Sequence, residues 1–93
     1  MSKQIRLTGT IIIPLDQQDT LLPLLEEHIR LSRAEPGCKE FSVTQDESLP
    51  EVYNLQELFE NADAFAFHQT RAGASDWGIA SVELTRDFTK SEG

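Results

Sequence analysis

Alternating apolar and polar residues predict four β-strands in this chain, at residues 5–13, 39–46, 52–59 and 81–89. The first strand is rich in β-branched residues, and Pro14 ends it because proline has no amide hydrogen to donate to a sheet. A turn joins the middle two strands into a hairpin. The two faces of the third strand carry Val52, Asn54, Gln56 and Leu58 on one side, and Tyr53, Leu55, Glu57 and Phe59 on the other.

Apolar residues at helical spacing predict a long first helix. Its buried face is expected to carry Leu21, Leu25, either His28 or Ile29, and Ser32. Proline fits a helix comfortably only in the first turn, so Pro23 indicates a start capped by Asp19 or Thr20. At the other end, Pro36 disfavours the helical conformation in the residue before it, and Gly37 is expected to take a positive φ at the exit.

A second, shorter helix is predicted between a cap at Asn61 and about Gln69. It would bury Phe65 together with either Ala62 or His68. The stretch that follows is rich in Gly and Ala, which predicts a turn or a short irregular helix before the last strand. The last three residues are expected to fray.

The predicted order is β-α-β-β-α-β, the ferredoxin-like arrangement of the α+β class, in a single domain that spans residues 1–93. In this fold the helices cover one face of the sheet and leave the other open. Apolar residues occur on both faces of the first and third strands, and an exposed apolar face requires a cover. A second sheet would supply it, so the pattern favours a homodimer whose open sheet faces help to enclose a cavity.

The net charge of −8, with 16 acidic and 8 scattered basic residues, argues against some partners. Nucleic acids and anionic membranes both select clustered Lys and Arg, so neither is expected to bind. The longest apolar run, at 11–13, is too short to cross a bilayer. Cys38 is the sole cysteine, and no signal-peptide apolar block precedes the first strand, so a cytoplasmic location is expected.

Several short phrases along the chain, taken in order, are typical of one family. They are SRAEPGC at 32–38, FSV at 41–43 followed by Asp46, LQELF at 55–59, NADAF at 61–65, HQTR at 68–71 and SDW at 75–77. Together they resemble the antibiotic biosynthesis monooxygenase domain family, which includes the small quinol monooxygenases.

The resemblance implies a dimeric α+β barrel and the oxygenation of a small quinol or phenolic substrate without a metal or flavin cofactor. Molecular oxygen would be the co-substrate. In that chemistry the enzyme deprotonates an electron-rich phenol, and the anion reacts with O₂ directly. The family also contains haem-degrading members and proteins without an established activity. The alternative is a non-catalytic dimer that binds a small aromatic ligand or serves as a structural module.

His68 and Glu57 are the candidate catalytic residues. His68 can exchange protons near neutral pH and could accept the substrate's hydroxyl proton. Its alternative role is that of a structural histidine near the C-terminal end of the second helix. Glu57 stands between two apolar neighbours on its strand, where a raised pKa would make it a base. Otherwise it pairs with Arg33 or Arg71, or caps the helix that follows.

Four further residues are candidates for substrate binding. Trp77 could wall a flat pocket, or it could plug one end of the barrel. Arg71 could pair with an anionic phenolate or with a surface carboxylate. Tyr53 and Asn54 are neighbours on one strand, so one of them should point into the cavity while the other points away.

The remaining titratable residues indicate structural roles. Two separated histidines and one cysteine lack the spacing of metal ligands, so no metal site is predicted. In haem-degrading members, the resemblance would place an axial histidine just after the second helix. Trp77 occupies that neighbourhood here, which argues against haem degradation. His28 is expected at the edge of the buried face of the first helix. Glu35 is expected to bond backbone donors around the Pro36 turn.

Overall fold

The computed structural model describes residues 3–92, which form a four-stranded antiparallel sheet with three helices packed on one face. The elements are β1 (Ile5–Ile12), α1 (Leu15–Arg33), β2 (Cys38–Gln45), β3 (Val52–Phe59), α2 (Ala62–Ala74), α3 (Asp76–Ala80) and β4 (Arg86–Glu92). The strand order is β2-β3-β1-β4. The ferredoxin-like α+β fold predicted from the sequence is therefore confirmed, and α3 is the short helix that was one of the two forms expected after the second helix.

The core lies between the helices and the two central strands. Ile11 of β1 pairs with Tyr53 of β3, and Gly9 pairs with Leu55, so these side chains share the face that the helices cover. The buried cluster consists of Ile11, Ile13, Leu21, Leu25, Tyr53, Leu55 and Trp77. On β3 the buried residues are those at odd positions, so the predicted division of its two faces is correct.

Helix α1 begins at Leu15, about one turn before the start predicted from Pro23. Its first turn is held by the turn between β2 and β3. The Leu15 amide donates to the Glu51 carboxylate at 2.8 Å, and the Gln18 side chain donates to the Pro50 carbonyl. The expected cap at Asp19 or Thr20 is therefore wrong, because a residue remote in sequence supplies the acceptor. Pro23 is an exposed residue inside the helix.

The exit from α1 is where the sequence placed it, but the conformation of Gly37 differs from the prediction. Helix α1 ends at Arg33, and no residue within 3–92 has a positive φ. Glycine is required here for space: a Cβ on Gly37 would lie 2.3 Å from the Cβ of Ala64. The turn after α1 therefore packs directly against α2.

Helix α2 begins as predicted, since the Asn61 side chain accepts a hydrogen bond from the Ala64 amide at 2.8 Å. It continues to Ala74, well beyond the predicted end at Gln69. Ser75 then caps α3 by accepting from the Gly78 amide. The same hydroxyl donates to the Ala72 carbonyl, which fixes the corner between the two helices.

Strand β4 begins at Arg86, so the predicted start at residue 81 is wrong. The Leu84 amide donates to the Ser81 carbonyl in a turn, and the Val82 side chain is 71% exposed. The alternation at 81–85 therefore does not reflect a sheet. The strand instead runs on to Glu92, which pairs with Ile5 where fraying was expected. Gly93 lies outside the described residues.

None of the helices between residues 3 and 92 has both the length and the apolar character needed to cross a bilayer.

Gly37→Ala should lower the free energy of unfolding by about 1–3 kcal/mol, because the added methyl group overlaps the side chain of Ala64. Urea unfolding of the single and double variants measures this. The double variant Gly37→Ala/Ala64→Gly should recover part of the loss, which the double-mutant cycle reports as a coupling free energy.

Gly73→Ala is the matched control, since a Cβ there meets nothing within 4 Å and Gly73 lies inside α2. It should raise the free energy of unfolding by about 0.5–1 kcal/mol. Equal stability of wild type and Gly37→Ala would show that α2 does not approach the turn this closely.

Candidate active site

A cavity of about 370 Å³ lies between the sheet and the three helices. Its polar and aromatic lining residues are His28, Glu57, His68, Trp77, Arg86 and Phe88. The face of β3 that lines it is the one that carries Glu57. This cavity is on the face that the helices cover. The cavity expected between the open sheet faces of two copies stays a prediction.

Glu57 is a buried carboxyl group on a central strand. Its neighbours across the sheet are Leu7 on β1 and Phe41 on β2, so its surroundings are apolar. Its side chain is 5% exposed, and Oε1 has no hydrogen-bond donor among the described residues. Burial, followed by the negative charge of Glu35, raises the pKa of Glu57 to about 7. Glu57 thus has the environment that the sequence predicted for a base.

His68 faces Glu57 from helix α2. Its Nε2 lies 3.6 Å from Glu57 Oε1, and its ring packs on Phe59 with centroids 4.8 Å apart. The ring also contacts Phe41 at 5.5 Å. Burial lowers the pKa of His68, and this outweighs the opposite effect of its hydrogen bond to Glu35. His68 is therefore held largely neutral near pH 7, in an aromatic surrounding beside the cavity.

Behind His68, the buried Glu35 and the half-buried Arg71 form an ion pair. Glu35 Oε2 accepts a hydrogen bond from Arg71 Nε at 2.5 Å and lies 3.1 Å from His68 Nδ1. Arg71 Nη2 also donates to Ser32 Oγ at 2.8 Å. Arg71 does not line the cavity, and its partner is a buried carboxylate where a surface one was expected. The expected role of the Glu35 carboxylate in bonding backbone donors is also wrong.

Trp77 and His28 form one wall of the cavity. Trp77, on α3, stacks on the His28 ring at 6.3 Å between centroids and 26° between planes. Trp77 also belongs to the buried core. Its alternative role, as a plug at one end of the barrel, stays a prediction. His28 received no functional role from the sequence, yet it lines the cavity. Burial lowers its pKa to about 4, so it is neutral at physiological pH.

Tyr53 and Asn54 point to opposite faces of β3, as strand geometry requires, and neither lines the cavity. The Tyr53 hydroxyl lies 3.3 Å from the Gln18 side chain, at the other end of the core. Asn54 is on the open face, where it pairs with Thr10 and Thr44. The structure therefore does not place these two candidates with Glu57 and His68.

Arg86 lines the cavity and was missed by the sequence analysis. Its guanidinium donates to the carbonyl and the hydroxyl of Ser81 at 3.1 and 3.0 Å. The sequence signal that could have found Arg86 is its spacing from Phe88. The two residues are two positions apart on β4, so both side chains lie on one face of the strand. Between residues 3 and 92, no three His, Cys, Asp or Glu side chains converge in a way that would hold a metal ion.

The model of one protein family, described as antibiotic biosynthesis monooxygenase, matches residues 5–78. This chain belongs to the antibiotic biosynthesis monooxygenase family. The matched part contains β1 through most of α3, and with them Glu35, Glu57, His68 and Trp77. It stops short of β4 and of Arg86.

Several solved structures have the same fold as this family member over nearly the whole chain. A "putative antibiotic biosynthesis monooxygenase" from Nitrosomonas europaea has a TM-score of 0.85 at 17% identity, covering 100% of this chain and 92% of the other. A protein from Pseudomonas aeruginosa has a TM-score of 0.80 at 20% identity, covering 100% and 96%. A protein of unknown function from Bacteroides thetaiotaomicron, described as a possible oxidoreductase, has a TM-score of 0.79 at 17% identity, with both chains fully covered. At these identities the likeness establishes the fold. No functionally curated protein matches the chain.

Glu57→Gln should stabilise this family member relative to the wild type, and more so at pH 8 than at pH 5. The pKa of Glu57 is raised in the folded state. Its favourable contribution to the free energy of unfolding is therefore complete below about pH 4.5 and is lost as the pH rises through about 7. A shift of this size corresponds to at most about 3 kcal/mol. Urea unfolding across this pH range measures the difference between the two proteins.

His28 titrates with the opposite sign in an overlapping range, but it is present in both proteins and cancels in the difference. Glu47→Gln, a change at an exposed carboxylate in the turn after β2, should give a difference that does not vary with pH. A flat difference for Glu57→Gln would contradict the raised pKa.

Proposed function

We propose that this chain is a cofactor-independent monooxygenase that acts on a small quinol or phenol. The observation that carries the proposal is the position of Glu57, whose buried carboxyl group lines the cavity and has a pKa raised to about 7. A group with that pKa can take a phenolic proton at neutral pH and give it back later in the cycle. Membership of the family supports the oxygenase chemistry.

Removal of the hydroxyl proton is the step that the protein would supply. Glu57 takes this proton, the aromatic anion transfers one electron to O₂, and the resulting radical pair combines into a peroxide at a ring carbon. Glu57 then returns the proton to the peroxide, which loses water as the ring carbon becomes a carbonyl. A quinol and O₂ thus give a hydroxyquinone and water, and the substrate itself supplies the electrons.

The other lining residues suit an aromatic substrate. Trp77 and Phe88 offer flat apolar surface to a ring, and Leu7 and Leu55 from the sheet extend that surface. Exclusion of bulk water by such walls would protect the peroxide and strengthen the interaction with Glu57. We assign His68 the second catalytic role, because its Nε2 lies 3.6 Å from Glu57 Oε1 and can share the proton that Glu57 takes.

We also propose that the protein acts as a homodimer joined through the open sheet face. On the two central strands this face carries Arg6, Thr8, Thr10, Ile12, Val52, Asn54, Gln56 and Leu58. It is less apolar than expected, but Arg6 is the sole charged residue among these eight and is bonded to Glu40. A face of uncharged side chains can pack against a second copy, and a small domain gains core from doing so.

Purified protein should consume O₂ with a reduced quinone such as menadiol, and Glu57→Gln should slow the reaction by about 10²–10⁴-fold, because glutamine cannot take the proton. An oxygen electrode measures the rate. Mass spectrometry should show a product with one more oxygen atom and two fewer hydrogen atoms than the quinol.

Glu47→Gln removes the same charge at an exposed turn and should leave the rate unchanged. His68→Ala should also slow the reaction. Wild-type protein that binds quinols and phenols without O₂ uptake would instead support the non-catalytic ligand-binding module. A Glu57→Gln rate equal to that of the wild type would remove Glu57 from the mechanism.

Sedimentation equilibrium should give the wild type twice the 10.5 kDa mass of the chain. Thr10→Arg places a charge at the middle of the open face and should shift the protein toward the monomer, since like charges would meet across the interface. Thr20→Arg makes the same change on the exposed side of α1 and should leave the dimer intact. A monomeric wild type at micromolar concentration would contradict the dimer.

A further inference from the structure

We propose that Glu35 is a positioning residue for the reaction, which holds His68 in the tautomer whose Nε2 receives the proton from Glu57. Glu35, His68 and Glu57 then form a buried relay. This inference rests on the proposed function and extends it to a residue that does not line the cavity.

The tautomer follows from what surrounds the imidazole. Both oxygens of Glu35 face His68 Nδ1, at 3.1 and 3.3 Å. An ionised carboxylate only accepts hydrogen bonds, so Nδ1 must carry the hydrogen atom and donate it. In neutral His68 the other nitrogen, Nε2, then presents its lone pair. That lone pair faces Glu57 Oε1 at 3.6 Å, a small movement away from a hydrogen bond.

The position of Glu35 is itself fixed by Arg71, which is held in turn by Ser32. Arg71 donates to the Glu35 carboxylate through Nε and to Ser32 through Nη2. Ser32 is in the last turn of α1, and Glu35 is in the turn that follows this helix. His68 and Arg71 are three residues apart on α2, so both are presented on the same side of that helix. Arg71 is the cationic partner of the Glu35 carboxylate, and the carboxylate held in this ion pair orients His68.

The proton balance of the relay is simple. After Glu57 has taken the substrate's hydroxyl proton, its carboxylic acid donates that proton to His68 Nε2. Glu57 becomes a carboxylate again, and His68 becomes an imidazolium between Glu57 and Glu35. When the peroxide forms, the proton returns along the same path to Glu57 and then to the peroxide oxygen. No proton has to enter from water in the cavity.

The other titratable groups around the relay stay in one charge state near neutral pH. His28 on α1 is neutral, because burial lowers its pKa to about 4. Cys38 at the start of β2 is a neutral thiol, because burial raises its pKa to about 11. Arg71 on α2 is a permanent cation. The charge state of the relay near neutral pH is therefore decided by Glu57 and His68 themselves.

A histidine NMR experiment tests the orientation directly. The chain has two histidines, and His28→Phe assigns their signals. With ¹⁵N-labelled histidine, wild-type His68 should show a protonated Nδ1 and an unprotonated Nε2 at pH 8. Glu35→Gln should reverse this, because Arg71 occupies the amide oxygen and the amide NH₂ then donates to Nδ1. Protonated Nε2 in the wild type would overturn the inference, whatever the activity.

Steady-state O₂ uptake tests the consequence. Glu35→Gln should lower kcat by at least about tenfold with little change in KM, since the relay and not the cavity is altered. The acid limb of its pH profile should move to lower pH, because a negative charge that raises the pKa of Glu57 is gone. Glu27→Gln, which removes an exposed carboxylate on α1, should change neither quantity. A Glu35→Gln enzyme with wild-type kcat and pH profile would also overturn the inference.

Two further results keep the test decisive. If Glu35→Gln does not fold because Arg71 is left unpaired, the double variant Glu35→Leu/Arg71→Met removes both charges and the acceptor for Nδ1, and it should show a similar loss of kcat. Absence of O₂ uptake by the wild type contradicts the proposed function, whereas the NMR result still decides whether Glu35 orients His68.

Discussion

The bond between the Glu35 carboxylate and the side chains of His68 and Arg71 joins the turn after α1 to helix α2, and the candidate site depends on it. Neither a carboxylate nor a guanidinium is stable in a protein interior without a partner. The two therefore hold the turn after α1 against α2, and the close approach of Gly37 to Ala64 is the steric counterpart of this attraction. His68 is placed against Glu57 as a result.

Most of the fold could be predicted because its determinants are local. Strand alternation divided the faces of β3 correctly, and helical spacing on α1 identified the buried row that contains Leu21, Leu25 and Ser32. The burial of Glu57 could also be predicted locally, from a carboxylate between two apolar neighbours on one strand. The structure places that carboxylate in a buried, low-dielectric surrounding. Periodicity carries this information because each side chain's face is decided by its immediate neighbours.

The failures share a different cause, which is contact between segments distant in the sequence. Glu51 supplies the acceptor at the start of α1, so the rule for Pro23 placed the helix start too late. The alternation before β4 looked like a strand because exposure of Val82 cannot be read from neighbouring residues. The partners of Glu35 are more than thirty residues away. Position along the chain does not reveal such pairs.

One part of the cavity wall is a central strand of the sheet, and another part is a turn. Glu57 stands on a central strand that is hydrogen-bonded on both sides, whereas Ser81 and Val82 belong to the turn between α3 and β4. Changes in that turn would reshape the cavity without disturbing the strand that carries the carboxyl group. In evolutionary terms, selection could therefore alter the shape of the cavity while the strand that carries its buried carboxyl group is inherited unchanged.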